Sequence, residues 1–422
     1  MSFTAITNVR VFDGANIHPA TTVVISGTTI SGVGGIVPDG ATVVDGKGCT
    51  LLPGLIDSHV HTGIPQLELA LRFGVTTELE MMGHWTADQR NEISERDDLA
   101  DLRTANYGLT PPDGHPNQLT KKLDLPMPLP DHSCGSNHEP LLMNARTPDE
   151  AIAFVRQRVK EGADYIKIMI EEGSVFQSPG LPMLSQETIS AAVQEAHRHN
   201  KLAIAHAMTY DAAEAAATAG IDGLAHLFID RGADSSIVKK LSGMFITPCL
   251  CLNASILGNK PIEFAADPRV SAKLPSPWLT HLQGSMDTFT DADFDVVLKT
   301  VADLHRAGID ILVGTDSSFP VPHLAGIAHG ASVHHELQLL VHAGFTPTEA
   351  LRAATSVPAR CFGLTDRGRI HEGLRADLLL VQGDPTSDIR DTLSVRSVWR
   401  RGSLLLSSPR DNNTSLGLHT AA

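Results

Sequence analysis

His59 and His61 are the residues of this 422-residue chain whose type and spacing first suggest chemistry. They close a largely apolar run that begins at Leu51. In an extended strand, side chains two apart share a face, so both imidazoles can reach one cation. Imidazole is the commonest protein ligand for zinc and its neighbours. A half-buried strand histidine satisfies the same pattern, so the pair needs partners. Candidates stand where other apolar runs end: His206 closes 202–206, His226 closes 223–226, and Asp316 follows 311–315. In 164–170, alternation turns Ile166, Ile168 and Ile170 to one side and Tyr165, Lys167 and Met169 to the other. A lysine facing an interior needs a carboxylate close by or a chemical use. As a neutral amine it can add carbon dioxide and become a carbamate, an anion able to bridge two cations.

These residues require elements that bring strand ends together. Apolar runs over 51–57, 75–81, 102–107, 163–170, 202–206, 221–226, 244–250 and 309–315 alternate with helical patterns. That alternation predicts an α/β chain, a TIM-type (β/α)8 barrel over 51–369, with its site at the C-terminal ends of the strands. The clearest helix spans 185–199, with Ser185 as cap, Glu187 in the first turn, and Ile189, Ala192, Val193 and Ala196 as a core stripe. Short strands over 5–12, 22–26, 29–33 and 42–44 match others over 377–381, 395–398 and 403–406. They predict one small composite β-domain, a β-sandwich built from 1–50 and 370–408, with 409–422 as a mobile tail.

Connections over 108–147 and 253–291 are long enough to be lids or binding loops. The first carries His115, His132, Cys134 and His138, which match no zinc spacing and read equally as solvated loop residues. The second carries Trp278 and His281.

Composition excludes several partners. The formal charge is −15, with 33 basic and 48 acidic residues and no basic stripe, which argues against nucleic acid and anionic membranes. No signal-type segment opens the sequence and no run of about 18 apolar residues occurs. The expectation is a cytoplasmic protein acting on a small molecule. Five scattered cysteines do not make a disulfide framework, and Cys249 and Cys251 read as buried core thiols.

Taken in order, Leu52-Pro53-Gly54-Leu55-Ile56-Asp57-Ser58-His59-Val60-His61, Gly74-Val75-Thr76-Thr77, Tyr165-Ile166-Lys167-Ile168-Met169, Ala205-His206-Ala207, Gly223-Leu224-Ala225-His226 and Gly314-Thr315-Asp316-Ser317 form a pattern. Ala350-Leu351-Arg352-Ala353-Ala354-Thr355 and Gly373-Leu374-Arg375-Ala376-Asp377 extend it, so that it covers nearly the whole chain. It resembles the metal-dependent amidohydrolase superfamily, in the clade of imidazolonepropionase-like enzymes, ochratoxinase and Xaa-Pro and related carboxypeptidases.

The resemblance implies a binuclear centre. His59, His61 and Asp316 would hold one divalent cation and His206 and His226 the other, with carbamylated Lys167 between them and zinc as the first choice of metal. It implies hydrolysis of an amide C–N bond, in a dipeptide or N-acyl amino acid, by a bridging hydroxide, with Asp316 as proton acceptor and then donor. Ring opening of a cyclic amide or lactone uses the same ligands, and a non-catalytic scaffold is the remaining reading. Relatives often assemble, so a homo-oligomer is possible by analogy. His84, Tyr210 and His329 are the candidate substrate contacts; His197, His199, His334, His335 and His342 read as structural. The sequence departs from the family in the short segment 62–73 and in Glu171-Glu172, where relatives more often have a glycine-rich turn.

Overall fold

At Gly54 the chain passes from one sheet into another. The computed structural model describes residues 3–119, 144–321 and 324–407; His132, Cys134, His138 and the tail 409–422 lie outside them. The strand expected over 51–57 is divided. Cys49–Pro53 pairs antiparallel with Leu378–Gln382, whereas Leu55–Val60 pairs parallel with Val75–Glu80. Proline cannot donate to a continuing ladder. A Cβ at position 54 would meet Thr76 Oγ1 at 2.1 Å, so the crossing requires glycine.

In chain order, β1 (Phe3–Phe12), β2 (Ile17–Ser26), β3 (Thr29–Val33), β4 (Thr42–Asp45) and β5 (Cys49–Pro53) come first. The parallel strands are β6 (Leu55–Val60), β7 (Val75–Glu80), β8 (Asp101–Thr104), β9 (Ile166–Met169), β10 (Ala203–His206), β11 (Gly223–Ala225), β12 (Phe245–Thr247) and β13 (Asp310–Ile311). Finally β14 (Leu378–Gln382), β15 (Val395–Arg400) and β16 (Ser403–Ser407) return to the first group. The resulting eight-stranded sheet runs β16-β15-β14-β5-β1-β2-β3, with β4 beside β1. Both chain ends contribute to it as expected, but the described residues record one hydrogen-bonded sheet where the sequence suggests a sandwich.

The parallel strands form a three-stranded sheet, β6-β7-β8, and a five-stranded sheet, β13-β12-β11-β10-β9. No continuous closed ladder joins them among the described residues. Backbone bonds nevertheless span both seams: Leu109 N–H donates to Lys167 O, and His61 N–H to Ser317 O, each at 2.8 Å. An apolar layer collects Ile56, Leu79, Ala105, Tyr165, Ile204, Ala225, Phe245 and Leu312, a residue on or beside each parallel strand. Ile166, Ile168 and Ile170 instead join the larger cluster with the helix residues Ala192 and Val193, as alternation requires. Each such burial contributes about 1.5–3 kcal/mol.

The helix Gln186–Arg198 starts at Ser185, whose side chain accepts from Thr188 N–H, and buries Ile189, Ala192, Val193 and Ala196. The 253–291 connection is packed structure: Ser276–Leu282 is a helix, and Trp278 lies in a cluster with Phe73 and Phe264. No helix among the described residues is long and apolar enough to cross a membrane.

Candidate metal centre

One carboxylate oxygen meets two imidazoles. Asp316 Oδ1 lies 3.1 Å from His59 Nε2 and 3.0 Å from His61 Nε2. His59 is in β6 and His61 just beyond it; Asp316 follows β13 by a few residues. Its amide donates to His59 O at 2.8 Å, so the two segments share register as well as side chains. Beneath them, the buried Asp57 carboxylate accepts from His59 N–H, Thr315 N–H and Thr315 Oγ1–H, at 3.2, 3.0 and 2.7 Å.

His206 and His226 face the same space. The His226 ring stands 4.5 Å from that of His59 and 4.7 Å from that of His206. Lys167, in β9 beside Ile204 of β10, is 1% exposed, and its Nζ has no hydrogen-bond partner among the described residues. No carboxylate among the described residues is within hydrogen-bond reach of it, although Asp316 and Glu80 lie near enough to favour its charged form. Backbone geometry marks the same region, with φ of 89° at His226, 53° at Cys249 and 57° at Asp316. Such positive angles cost about 1–3 kcal/mol each and persist where surroundings enforce them.

The electrostatics favour neutral His59, His206 and His226 around an anionic Asp316, whereas burial of His61 is outweighed by Asp316 and Glu80, which raise its pKa. Burial, then the Lys167 charge, pushes His59 and His206 each down to about 3. His226 falls well below its ordinary value through burial and the neighbouring His59. Burial would raise Asp316, but His59 and His61 outweigh it and hold the carboxylate well below its usual range. Burial lowers Lys167 to about 8, toward the neutral amine a carbamate requires.

Three of the four rings also have one nitrogen directed at an anchor. His61 Nδ1 meets Met82 O at 3.1 Å, His206 Nε2 meets Glu171 Oε2 at 3.1 Å, and His59 Nδ1 meets Cys249 Sγ at 3.6 Å. Anchors of this kind fix tautomer and orientation in metal sites. Convergent oxygen and nitrogen donors and an orphaned buried amine fit a pair of divalent cations.

The sequence matches the amidohydrolase family model over residues 50–405. This chain belongs to the amidohydrolase family. Ochratoxinase from Aspergillus niger is 26% identical over 266 residues, 61% of this chain and 49% of that protein, so this chain spans about half the length of that relative. Imidazolonepropionase from Deinococcus deserti is 38% identical over 100 residues, 23% of this chain and 24% of that protein. Among solved structures, a Xaa-Pro dipeptidase with bound methionine superposes with a TM-score of 0.72 at 23% identity, covering 96% of this chain and 100% of that one. The A. niger ochratoxinase structure gives 0.71 at 22%, covering 96% of each chain. These likenesses extend the fold over almost the whole of this chain.

Of the candidate substrate contacts, none is drawn into the cluster. His84 stacks on Tyr107 with centroids 5.5 Å apart. The Tyr210 hydroxyl donates to Asp234 Oδ1 at 3.0 Å and its ring lies under Arg231. His329 is fully buried, with Nδ1 2.9 Å from Glu78 Oε1 and Nε2 3.1 Å from Ser318 O, so both nitrogens are engaged within the protein.

Other residues occupy the surroundings instead. His115 stacks on His206 at 4.5 Å, and Glu171 turns inward rather than toward the mouth. Glu80 is fully buried, 3.9 Å from His61 Nδ1, and burial raises its carboxyl to about 7. The signal for Glu78 and Glu80 was present: two carboxylates, two apart, in the strand run Val-Thr-Thr-Glu-Leu-Glu. A cavity of about 620 Å³ bounded by Arg103, Asp164, Leu202 and Arg360 includes none of the five histidines or carboxylates of the cluster.

Proposed function

We propose that the protein is a binuclear-metal hydrolase cleaving the amide C–N bond of a small linear substrate, such as a dipeptide or N-acyl amino acid. The observation carrying this reading is the convergence of His59 Nε2, His61 Nε2 and Asp316 Oδ1 within about 3 Å, opposite a buried lysine without a partner. The eight parallel strands then act as a TIM-type barrel, and the end sheet as its support. His59, His61 and Asp316 would hold one cation, His206 and His226 the other, and carbamylated Lys167 both. When bound, divalent cations, zinc by preference, polarise a carbonyl and make water acidic near neutral pH.

The chain's own residues do the rest. Asp316, anionic and at the meeting point, accepts a proton and returns it to the leaving nitrogen. Neutral His59, His206 and His226 present lone pairs without first losing protons. His115, its Nδ1 2.8 Å from Gln118 Nε2, offers Nε2–H beside His206, where a substrate oxygen would lie. The likeness to ochratoxinase and to a Xaa-Pro dipeptidase supports amide chemistry.

The test is a hydrolysis screen of zinc-reconstituted protein against dipeptides, N-acyl amino acids, cyclic imides and lactones, with cation content measured in parallel. Linear amides should be turned over by protein holding two cations per chain. Preference for ring substrates, or a protein that retains no cation, would overturn the reading.

A further inference from the structure

Cys249 has no more than an orienting contact in the hydrolytic arrangement, through His59 Nδ1. The residue follows β12 with φ 53° and is fully buried. Its Sγ is 3.6 Å from His59 Nδ1 and 3.6 Å from Thr247 O. The His59 ring therefore stands between two donors, with Nε2 toward Asp316 and Nδ1 toward the thiol. His226, 2% exposed, packs on the same ring, and its Nδ1 has no hydrogen-bond partner among the described residues. One ligand atom each from His59, His226 and Cys249 lies within 4.8 Å of the other two.

These separations fit a cation. Zinc-type bonds of about 2.3 Å to sulfur and about 2.0–2.1 Å to nitrogen, at a tetrahedral angle, place the two donors about 3.6 Å apart. The thiol and Nδ1 already have that spacing, before any cation draws them together. The donor set is soft, two imidazoles and a sulfur with no carboxylate, whereas the His59–His61–Asp316 set contains a hard oxygen.

We propose that Cys249, His59 and His226 form a second cation site, selective for thiophilic divalent ions such as cadmium. On binding, the S–H bond breaks, its proton passes to solvent, and sulfur donates an electron pair to the cation; nothing is oxidised. The two sets share His59, and the soft site also takes His226, so a thiophilic cation withdraws two histidines from the arrangement around Asp316 and Lys167. The outcome is inhibition by cation exchange, decided by softness rather than by size.

The test uses metal-free full-length protein. Cobalt(II) titration should produce a near-ultraviolet thiolate-to-cobalt charge-transfer band in the wild type and in Cys251→Ser, and none in Cys249→Ser. Cadmium affinity should fall at least about tenfold in Cys249→Ser. Because that variant touches His59, the wild type is also examined by X-ray absorption after cadmium loading, where one sulfur neighbour is expected. A shell of nitrogen and oxygen alone, or a charge-transfer band that survives in Cys249→Ser, would overturn the proposal. Neither readout involves turnover, so failure here leaves the hydrolytic reading standing, and failure of hydrolysis leaves the thiolate signal intact.

Discussion

His206 Nε2 lies 3.1 Å from Glu171 Oε2, and both side chains are buried. With the ring held neutral by burial and by Lys167, Nε2–H donates to the carboxylate and Nδ1 is the nitrogen left to bind a cation. Of the acidic pair after β9, Glu171 thus meets the histidine, while Glu172 accepts from Ser174 N–H at 3.1 Å. Glu171→Gln should keep the fold and weaken cation affinity by about 10–100-fold. Competition against a metallochromic chelator measures this, and unchanged affinity would show that the contact does not orient the ring.

Lys167→Ala should lose the bridging group, so cation content falls from two per chain to one or none and hydrolysis disappears with it. In the wild-type metal-free protein, burial sets the amine at about 8 instead of 10.5. The neutral form grows as pH rises through that value. Cation uptake in bicarbonate should therefore climb toward pH 8 and level off above it; a rise continuing toward 10.5 would show an ordinary solvated amine.

Asp101 joins the end sheet to the parallel strands. Its carboxylate contacts Arg367, and lies 3.2 Å from Arg375 and 3.3 Å from Arg400. Burial would raise its pKa, but Arg367, Arg375 and Arg400 outweigh burial and hold it well below the usual carboxylate range. The sign follows: the stabilisation is complete above the unfolded value and is lost as pH falls through the lower folded value. Asp101→Asn should cost about 3–5 kcal/mol by leaving buried guanidinium charge uncompensated, read by urea unfolding at neutral pH, with the difference from wild type shrinking in strong acid.

Gly314→Ala should disturb the His59 strand directly. A Cβ there would meet Thr247 Cγ2 at 2.3 Å and His59 N at 3.0 Å. Overpacking of this kind costs about 1–3 kcal/mol. Thermal melting should show that loss together with weaker cation binding, since β6 must shift to admit the methyl group.

The sequence disclosed the residues proposed as ligands more fully than what holds them. His59, His61, Lys167, His206, His226 and Asp316 were legible because each lies at or near the end of an apolar run, and strand periodicity is a local property. Glu80, Glu171, His115 and Cys249 were not assigned their places because their partners are distant in sequence. Cys249 read as a core thiol, and it is buried; what the pattern cannot encode is that its neighbour is an imidazole. The break at Gly54 was hidden for another reason. Both sheets bury both faces of this segment, so the apolar run continues unchanged while the chain changes partners. His329 is a further case: its position suggested a substrate contact, and what the sequence did not show is that Glu78 and Ser318 meet its two ring nitrogens within the fold.

The pairing of β5 with β14 places Leu52 against Leu379. It also fixes an order of events during synthesis. The strand bearing His59 follows β5 after a single residue, Gly54, and emerges early from the ribosome. The neighbour that completes β5 emerges more than 300 residues later, and non-local pairings of this kind form slowly. β5 therefore waits, paired with β1 on one side only, until the last part of the chain has been made. A nascent chain stopped before β14 should expose β5 to proteases or chaperones, while one released after β16 should not.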